Sequence, residues 1–275
     1  MKPNDNTSTI TSPRLPTLTT LTTSQTTNHT ITMSASKQAV VCVFCGSRSG
    51  TSPAHLDAAR ALARQFHEHN VQLVYGGGTV GIMGELSRTL VALSGPKAVH
   101  GIIPRALVEV EEGYKTPSTG SANDAGNGAA GAGAPGAGKA PERLGGDTLE
   151  ETEYGQVTVV PDMHTRKRLM AQKVLEGGPG SGFVALAGGF GTMEELMEVT
   201  TWNQLGIHKA GVVLLNINGY WDGVLQWVQS AVQQGFVSRE NATILAEADR
   251  PEDVLRMLRE YRISSDRMAL DWGQE

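Results

Sequence analysis

The stretch Phe183-Val184-Ala185-Leu186-Ala187-Gly188-Gly189-Phe190-Gly191-Thr192-Met193-Glu194-Glu195 decides the fold. Phe183 to Leu186 reads as a short buried strand, and Thr192 to Leu205 reads as a helix. The glycines between them let the backbone turn tightly and bring N–H groups close to an anion. Thr192 is the expected hydroxyl cap of the helix. Glu195 lies three residues further on, in the first turn, where the helix dipole favours an ionised carboxylate. The same spacing also suits a capping box, in which Glu195 only reaches back to the helix start.

Working outward, the strand–turn–helix unit recurs. Val40–Phe44, Val71–Tyr75, Val99–Ile103, Val157–Val160 and Val212–Leu215 read as strands. Between and after them, helices are expected over Pro53–His69, Val80–Leu93, Asp162–Leu175, Trp221–Gln233 and Pro251–Tyr261. In the first, Leu56, Ala59, Leu62, Ala63 and Phe66 fall on one face. Strands alternating with helices of this length imply parallel pairing through right-handed crossovers, hence an open, doubly wound α/β sheet. Such sheets bind ligands beyond the carboxyl ends of their strands, near a topological switch point. Three of the strands end there in glycine-bearing turns.

Composition narrows the function. The chain has 275 residues, with 28 Asp and Glu against 23 Lys and Arg, a net charge of −5. Without a long basic run this argues against a nucleic-acid partner. No apolar stretch approaches the roughly 20 residues of a membrane span. Cys42 and Cys45 are the only cysteines, too few for a disulfide framework or a four-cysteine zinc site. Residues 1–36 are rich in Ser and Thr without apolar periodicity, and are expected to be a disordered tail. They contain no continuous apolar core of a secretory leader. Their hydroxyl-rich, acid-poor composition leaves a transit peptide as an alternative, against which stand the few basic residues, Lys2 and Arg14. Met33 offers an alternative start, so a cytoplasmic location is expected. Residues 37–265 form one expected domain, interrupted by a Gly/Ala-rich flexible insertion over 113–148 and followed by a tail over 266–275.

Three further elements carry candidate chemistry. Gly46-Ser47 follows the first strand, where a small residue and a hydroxyl suit an anion-binding turn or an ordinary tight one. Gly76-Gly77-Gly78-Thr79-Val80-Gly81-Ile82-Met83-Gly84 contains G-x-G-x-x-G between a strand and a helix. The following strand runs into Pro104 and Arg105 and offers no acid for a ribose 2′-hydroxyl, so a phosphate or close-packing role is preferred to dinucleotide binding. Asp162-Met163-His164-Thr165-Arg166-Lys167-Arg168 puts three basic side chains in the first helical turn, against the dipole, a conflict that bound anions would relieve. Glycine turns that cradle a phosphate, with a carboxylate nearby, fit the 5′-phosphate and ribose of a nucleotide.

Taken together, Gly76-Gly77-Gly78 with Gly81-Ile82-Met83-Gly84, Met163-His164-Thr165-Arg166-Lys167 and Gly188-Gly189-Phe190-Gly191-Thr192-Met193-Glu194-Glu195 resemble the LOG family. These are cytokinin riboside 5′-monophosphate phosphoribohydrolases, often mislabelled lysine decarboxylases. Phe44-Cys45-Gly46-Ser47 and Thr201-Trp202-Asn203-Gln204-Leu205-Gly206-Ile207-His208 extend the resemblance, which covers about residues 39–260 outside the insertion. It implies a Rossmann-like single domain with helices on both faces of the sheet. It also implies a homodimer with the site near the interface, and hydrolysis of an N-glycosidic bond without a cofactor. By position, the family's catalytic arginine and glutamate fall on Arg166 and Glu195. Substrate and phosphate contacts fall on Ser47, Gly77, Gly78, Met83, Met163, Lys167, Gly188, Gly189, Gly191, Thr192, Glu194 and Thr201, with Glu111 as the acid beside the insertion. The motif's proline is Ala187 here.

Cleaving a ribosyl C1′–N bond builds positive charge on the sugar and negative charge on the base. An ionised Glu195 could stabilise the sugar cation, hold ribose hydroxyls or activate water. Arg166 could bind phosphate or stabilise the departing base. Other readings are weaker. Cys42 and Cys45 are three apart on a strand, so they point to opposite faces and read as core. His67 and His69 read as surface residues, and no metal is assigned. Lys173 has no context for a Schiff base. The alternatives kept open are a phosphoribohydrolase of broader nucleotide range, acting on AMP and other monophosphates, and a non-catalytic carrier resembling molybdenum cofactor carriers. Deleting residues 1–36 should leave the thermal midpoint and turnover unchanged; circular dichroism melting of the truncated chain checks it.

Overall fold

Val40-Val41-Cys42-Val43-Phe44 forms β1, buried at every residue, and the two faces of this one strand define both layers of the core. Val41 and Val43 pack with the helices of one layer, while Val40, Cys42 and Phe44 pack with those of the other. The computed structural model describes residues 37–108, 111 and 147–272. The expectations for 1–36 and for 113–146 fall outside the described residues. After β1 come α1 (Ala54–Glu68), β2 (Gln72–Tyr75), α2 (Gly81–Ser94), β3 (Val99–Pro104) and the single turn α3 (Arg105–Val108). The chain continues with β4 (Asp147–Thr152), β5 (Gly155–Val160), α4 (Met163–Leu175), β6 (Gly182–Ala185) and α5 (Phe190–Gln204). It finishes with β7 (Gly211–Leu215), α6 (Asp222–Gln233), β8 (Leu245–Ala248) and α7 (Pro251–Glu260).

The strands form one sheet in the order β4-β5-β3-β2-β1-β6-β7-β8, parallel throughout except that β4 runs antiparallel to β5. The doubly wound α/β reading therefore holds. The chain builds outward from β1 to one side, then returns to the other side at β6, so the switch point lies between β1 and β6. One core layer holds α1, α2 and α7; the other holds α4, α5 and α6. Phe44 and Phe183 stack across the β1–β6 junction at 5.9 Å between ring centroids.

Two strands escape the sequence reading. β4 begins within the segment read as an insertion and pairs with β5 through a tight hairpin at Glu153-Tyr154. Gly155 adopts φ +100° there, where a Cβ would lie 2.6 Å from the Val99 Cβ. β8 has the sequence Leu-Ala-Glu-Ala, which has little intrinsic strand preference and is held by its ladder to β7. Residues beyond α7 run along the end of α5. Arg267 donates to the carbonyls of Asn203 and His208, each at 3.0 Å, and Trp272 donates from its ring nitrogen to Leu205 O at 3.1 Å.

Two histidines are built into this frame in their neutral form. His208 Nε2 lies 2.8 Å from Val199 O, while its Nδ1 accepts from the Ala210 amide at 3.2 Å, which fixes the tautomer. Burial pushes its pKa down to about 4, against the Val199 hydrogen bond and with help from Arg267. His100, paired with Thr158 Oγ1 at 2.8 Å, is pushed down to about 4 by burial and by Lys173. An unfolded histidine titrates near 6.5, so between there and about 4 only the unfolded state takes up the proton. Stability should be independent of these groups above that window and fall as pH drops through it, by on the order of 2–3 kcal/mol per histidine. Urea melts from pH 7 to 4 on wild type and His208→Gln check this, the variant showing the shallower decline.

Candidate active site

The carboxyl ends of β1, β2, β3 and β6 converge on a cleft of about 450 Å³. Three glycine turns meet there, and they do different physical jobs. The carbonyl of Gly46 accepts the N–H groups of Ile82 and Met83 at 3.1 and 3.3 Å, while the Gly46 amide donates to Ala187 O at 3.0 Å. The amino end of α2 is thus satisfied by the turn after β1 and is not open to an anion. Gly81 has φ +63°, and a Cβ would stand 2.4 Å from the Arg48 amide nitrogen; at Gly84 a Cβ would meet Thr79 O at 2.1 Å. Of the two roles weighed for this glycine-rich turn, Gly81 and Gly84 take the close-packing one. Gly77, at φ +77°, packs against Ile103 rather than lining the cleft.

The amino end of α5 is the open one. Its first helical bond runs from the Met193 amide to Gly189 O at 3.1 Å, and no acceptor among the described residues takes the amides of Gly189, Phe190, Gly191 or Thr192. A Cβ at Gly189 or Gly191 would meet nothing within 4 Å. Free N–H groups, a positive dipole end and open space are the features that an anion would need there. The helix begins at Phe190 with Gly189 as its cap residue, two positions earlier than periodicity indicates. Thr192 is therefore inside the first turn and caps nothing; its buried hydroxyl packs over Gly188 instead.

Glu195 does not close a capping box. Its Oε1 accepts from Arg166 Nη2 at 3.0 Å, and both residues are buried. Arg166 stands in the first turn of α4, whose cap Asp162 accepts from the Thr165 amide at 2.8 Å. The guanidinium lies directly over Gly76, where a Cβ would fall 2.0 Å from Nη2, so a larger residue there would displace the guanidinium. Lys167 turns away from the cleft to Glu194 and to Glu198, at 2.5 and 3.0 Å. Carboxylates of α5 thus pair with Arg166 and Lys167, two of the three basic side chains at the start of α4. Burial drives the Glu195 carboxyl above its ordinary range; Arg166 and Lys167 oppose this, while Glu194 and Glu198 add to it.

Opposite this pair, Glu111 Oε2 accepts from the Thr79 amide and hydroxyl, both at 2.8 Å, which fixes it at the cleft wall. Ser47, Gly78, Met83, Glu111, Met163, Arg166, Gly189, Gly191, Thr192 and Glu195 line the cleft together. Gly188 borders an adjoining chamber of about 570 Å³. Lys167, Glu194 and Thr201 do not reach the cleft; Thr201 is exposed on α5. Sequence reasoning passed over Cys45, Ile103, Leu107 and Phe190, which also line it. Cys45 and Ile103 stand at strand ends, which was the available signal for them; Leu107 lies in α3 and Phe190 opens α5. Cys45 and Cys42 are free and buried, their thiols pushed well up by burial.

A family model described as "Possible lysine decarboxylase" matches residues 83–258. The chain is 46% identical over 236 residues to a bifunctional cytokinin biosynthesis protein of Fusarium pseudograminearum, covering 86% of this chain but only 43% of that one. It is 36% identical over 236 residues to a cytokinin riboside 5′-monophosphate phosphoribohydrolase of Arabidopsis thaliana, covering 85% of this chain and 88% of that one. The chain belongs to the LOG family. Among solved structures, a molybdenum cofactor carrier protein of Chlamydomonas reinhardtii aligns with a TM-score of 0.49 at 16% identity, over 82% of this chain and 98% of that one.

For this LOG-family chain, the described lining of the cleft contains one arginine and two glutamates. The glycine geometry gives a direct test. Gly81→Ala should cost more than about 2 kcal/mol, from its left-handed backbone and its collision with the turn at Ser47-Arg48. Gly191→Ala should keep or slightly raise the thermal midpoint, since the methyl enters open space in a helix. Inorganic phosphate should raise the thermal midpoint of wild type, and Gly191→Ala should abolish that rise; thermal melts with and without phosphate check both.

Proposed function

We propose that the chain hydrolyses the N-glycosidic bond of cytokinin riboside 5′-monophosphates and of AMP, releasing free base and D-ribose 5-phosphate. The observation that carries this reading is the buried Arg166–Glu195 pair, which shares a cleft with the open amino end of α5. The helix end suits the 5′-phosphate, and Glu111, held by Thr79, suits ribose hydroxyls. Only Oε1 of Glu195 is engaged by Arg166, which leaves Oε2 for the substrate.

In the reaction the C1′–N bond breaks with its electron pair going to the base, and a water oxygen then bonds to C1′. One water proton ends on the base and the other stays on the new anomeric hydroxyl. Glu195 as carboxylate stabilises the cationic ribosyl centre. Arg166 holds Glu195 ionised against burial, so its guanidinium is a positioning group rather than the phosphate ligand. Lys167 sets the charge of the cluster from behind, through Glu194 and Glu198. Assembly as a homodimer belongs to the same reading, supported by the exposed Met163 and Phe190 at the cleft mouth. So does a cytoplasmic location, which suits two unpaired cysteines. Among the described residues no helix is long and apolar enough to cross a membrane.

Incubating the protein with AMP and with isopentenyladenosine monophosphate should liberate base and ribose 5-phosphate in equal amounts. A carrier would bind without release, and equal turnover of unrelated monophosphates would mark a broad nucleotidase of the N-glycosidic type. Glu195→Gln should lower kcat by on the order of a hundredfold. It should also lower the thermal midpoint, because the buried Arg166 loses its counter-charge, so kcat is compared at a temperature where the variant is fully folded. The pH profile carries a sign. Activity needs the carboxylate, so its acid limb should lie above the roughly 4.3 of an ordinary glutamate. Arg166→Ala removes the opposing cation and should move that limb to higher pH while lowering kcat.

A further inference from the structure

The turn that forms the anion site contains Gly188, Gly189 and Gly191, and its geometry must be imposed from outside. One side chain from another element does so. Tyr220, at the end of the short helical turn Ile217–Gly219 after β7, donates its hydroxyl to the carbonyl of Gly188. Its own placement is firmly determined. The neighbouring Trp221 is buried and donates from its ring nitrogen to Ala185 O at 3.2 Å, at the end of β6. The Trp221 amide is taken by Asn216 Oδ1 at 2.7 Å, and the Asn216 amide group is held by Asp222 and Glu247. Rings of His55 and Trp221 meet the Tyr220 ring edge-on at 5.8 and 5.0 Å.

In a trans peptide the C=O of one residue and the N–H of the next point in opposite directions. A hydroxyl that fixes Gly188 O on one side therefore fixes the Gly189 N–H on the other. We propose that Tyr220 is a positioning residue for the anion site: its hydroxyl holds the 188–189 peptide so that the Gly189 amide joins the α5 amides facing the phosphate. This rests on the nucleotide reading above and adds a residue to it.

Tyr220→Phe keeps the ring contacts and removes only the hydroxyl, so the thermal midpoint should shift by no more than about 2 °C. The dissociation constant for ribose 5-phosphate, measured by calorimetry, should rise roughly 3- to 30-fold, the range for one lost hydrogen bond. KM for AMP should rise by a similar factor with kcat within about threefold, because the group acts on phosphate binding and not on bond cleavage. Placing 4-aminophenylalanine at position 220, which restores a donor, should recover most of the affinity. Unchanged ribose 5-phosphate affinity in Tyr220→Phe, or a fall confined to kcat, would overturn the proposal. Failure of wild type to bind ribose 5-phosphate would overturn the nucleotide reading, and Tyr220 with it. Wild-type binding without hydrolysis would remove the enzymatic reading and leave the Tyr220 comparison intact.

Discussion

The carboxyl edge of the sheet depends on one buried ion pair. Taking a guanidinium and a carboxylate out of water is costly, and the cost is recovered only with good geometry on both partners. Here Arg166 comes from the first turn of α4 and Glu195 from the second turn of α5, so the pair joins the two helices that flank the switch point. Gly76 makes room for it. The surroundings do not neutralise the cluster evenly: Arg166 and Lys167 face Glu195, Glu194 and Glu198. Burial, with a smaller push from the surplus carboxylates, is why Glu195 is driven upward despite its partner. Such an arrangement is a poor source of stability.

Two glycine-rich turns that look alike in sequence are used in opposite ways. The one leading into α2 spends its helix amides on Gly46 O and its glycines on close backbone approach. The one leading into α5 keeps its amides and the space in front of them free. What separates them is not the glycine pattern but what stands opposite each turn. For α2 it is the carbonyl of a neighbouring strand's turn; for α5 it is the cleft.

The fold was legible because strand–turn–helix units announce themselves locally: β1, β2, β3, β5, β6 and β7 all stand where short apolar runs end in turns. β8 was not, since Leu245-Ala246-Glu247-Ala248 becomes a strand only through its pairing with β7. β4 was hidden beside a glycine- and alanine-rich segment whose composition masks the Thr-Leu-Glu-Glu-Thr run. At the site, Arg166, Glu195 and the α5 turn were readable from local pattern. Their pairing was not: Thr192 and Glu195 fit a capping box locally, and only the tertiary approach of α4 gives Glu195 another partner. For the same reason Lys167 looked like a ligand of the cleft, whereas contact with Glu194 and Glu198 turns it away. Tyr220 carries no local signal beyond its place after a strand.

The segment after α7 has a practical side. Arg267 and Trp272 close the carboxyl end of the helix whose amino end opens on the cleft, and the Met268 amide adds a bond to Gln204 O at 2.9 Å. A cation there also complements the helix dipole. Lys37, by contrast, enters at the amino ends of the strands, where Gln38 is tied to Asn70 at the far pole of the sheet. Surface immobilisation, fusion partners and fluorescent reporters are therefore not equivalent at the two ends. A group attached at Trp272 sits beside the carboxyl end of α5, whereas one attached at Lys37 sits at the pole of the sheet away from the cleft.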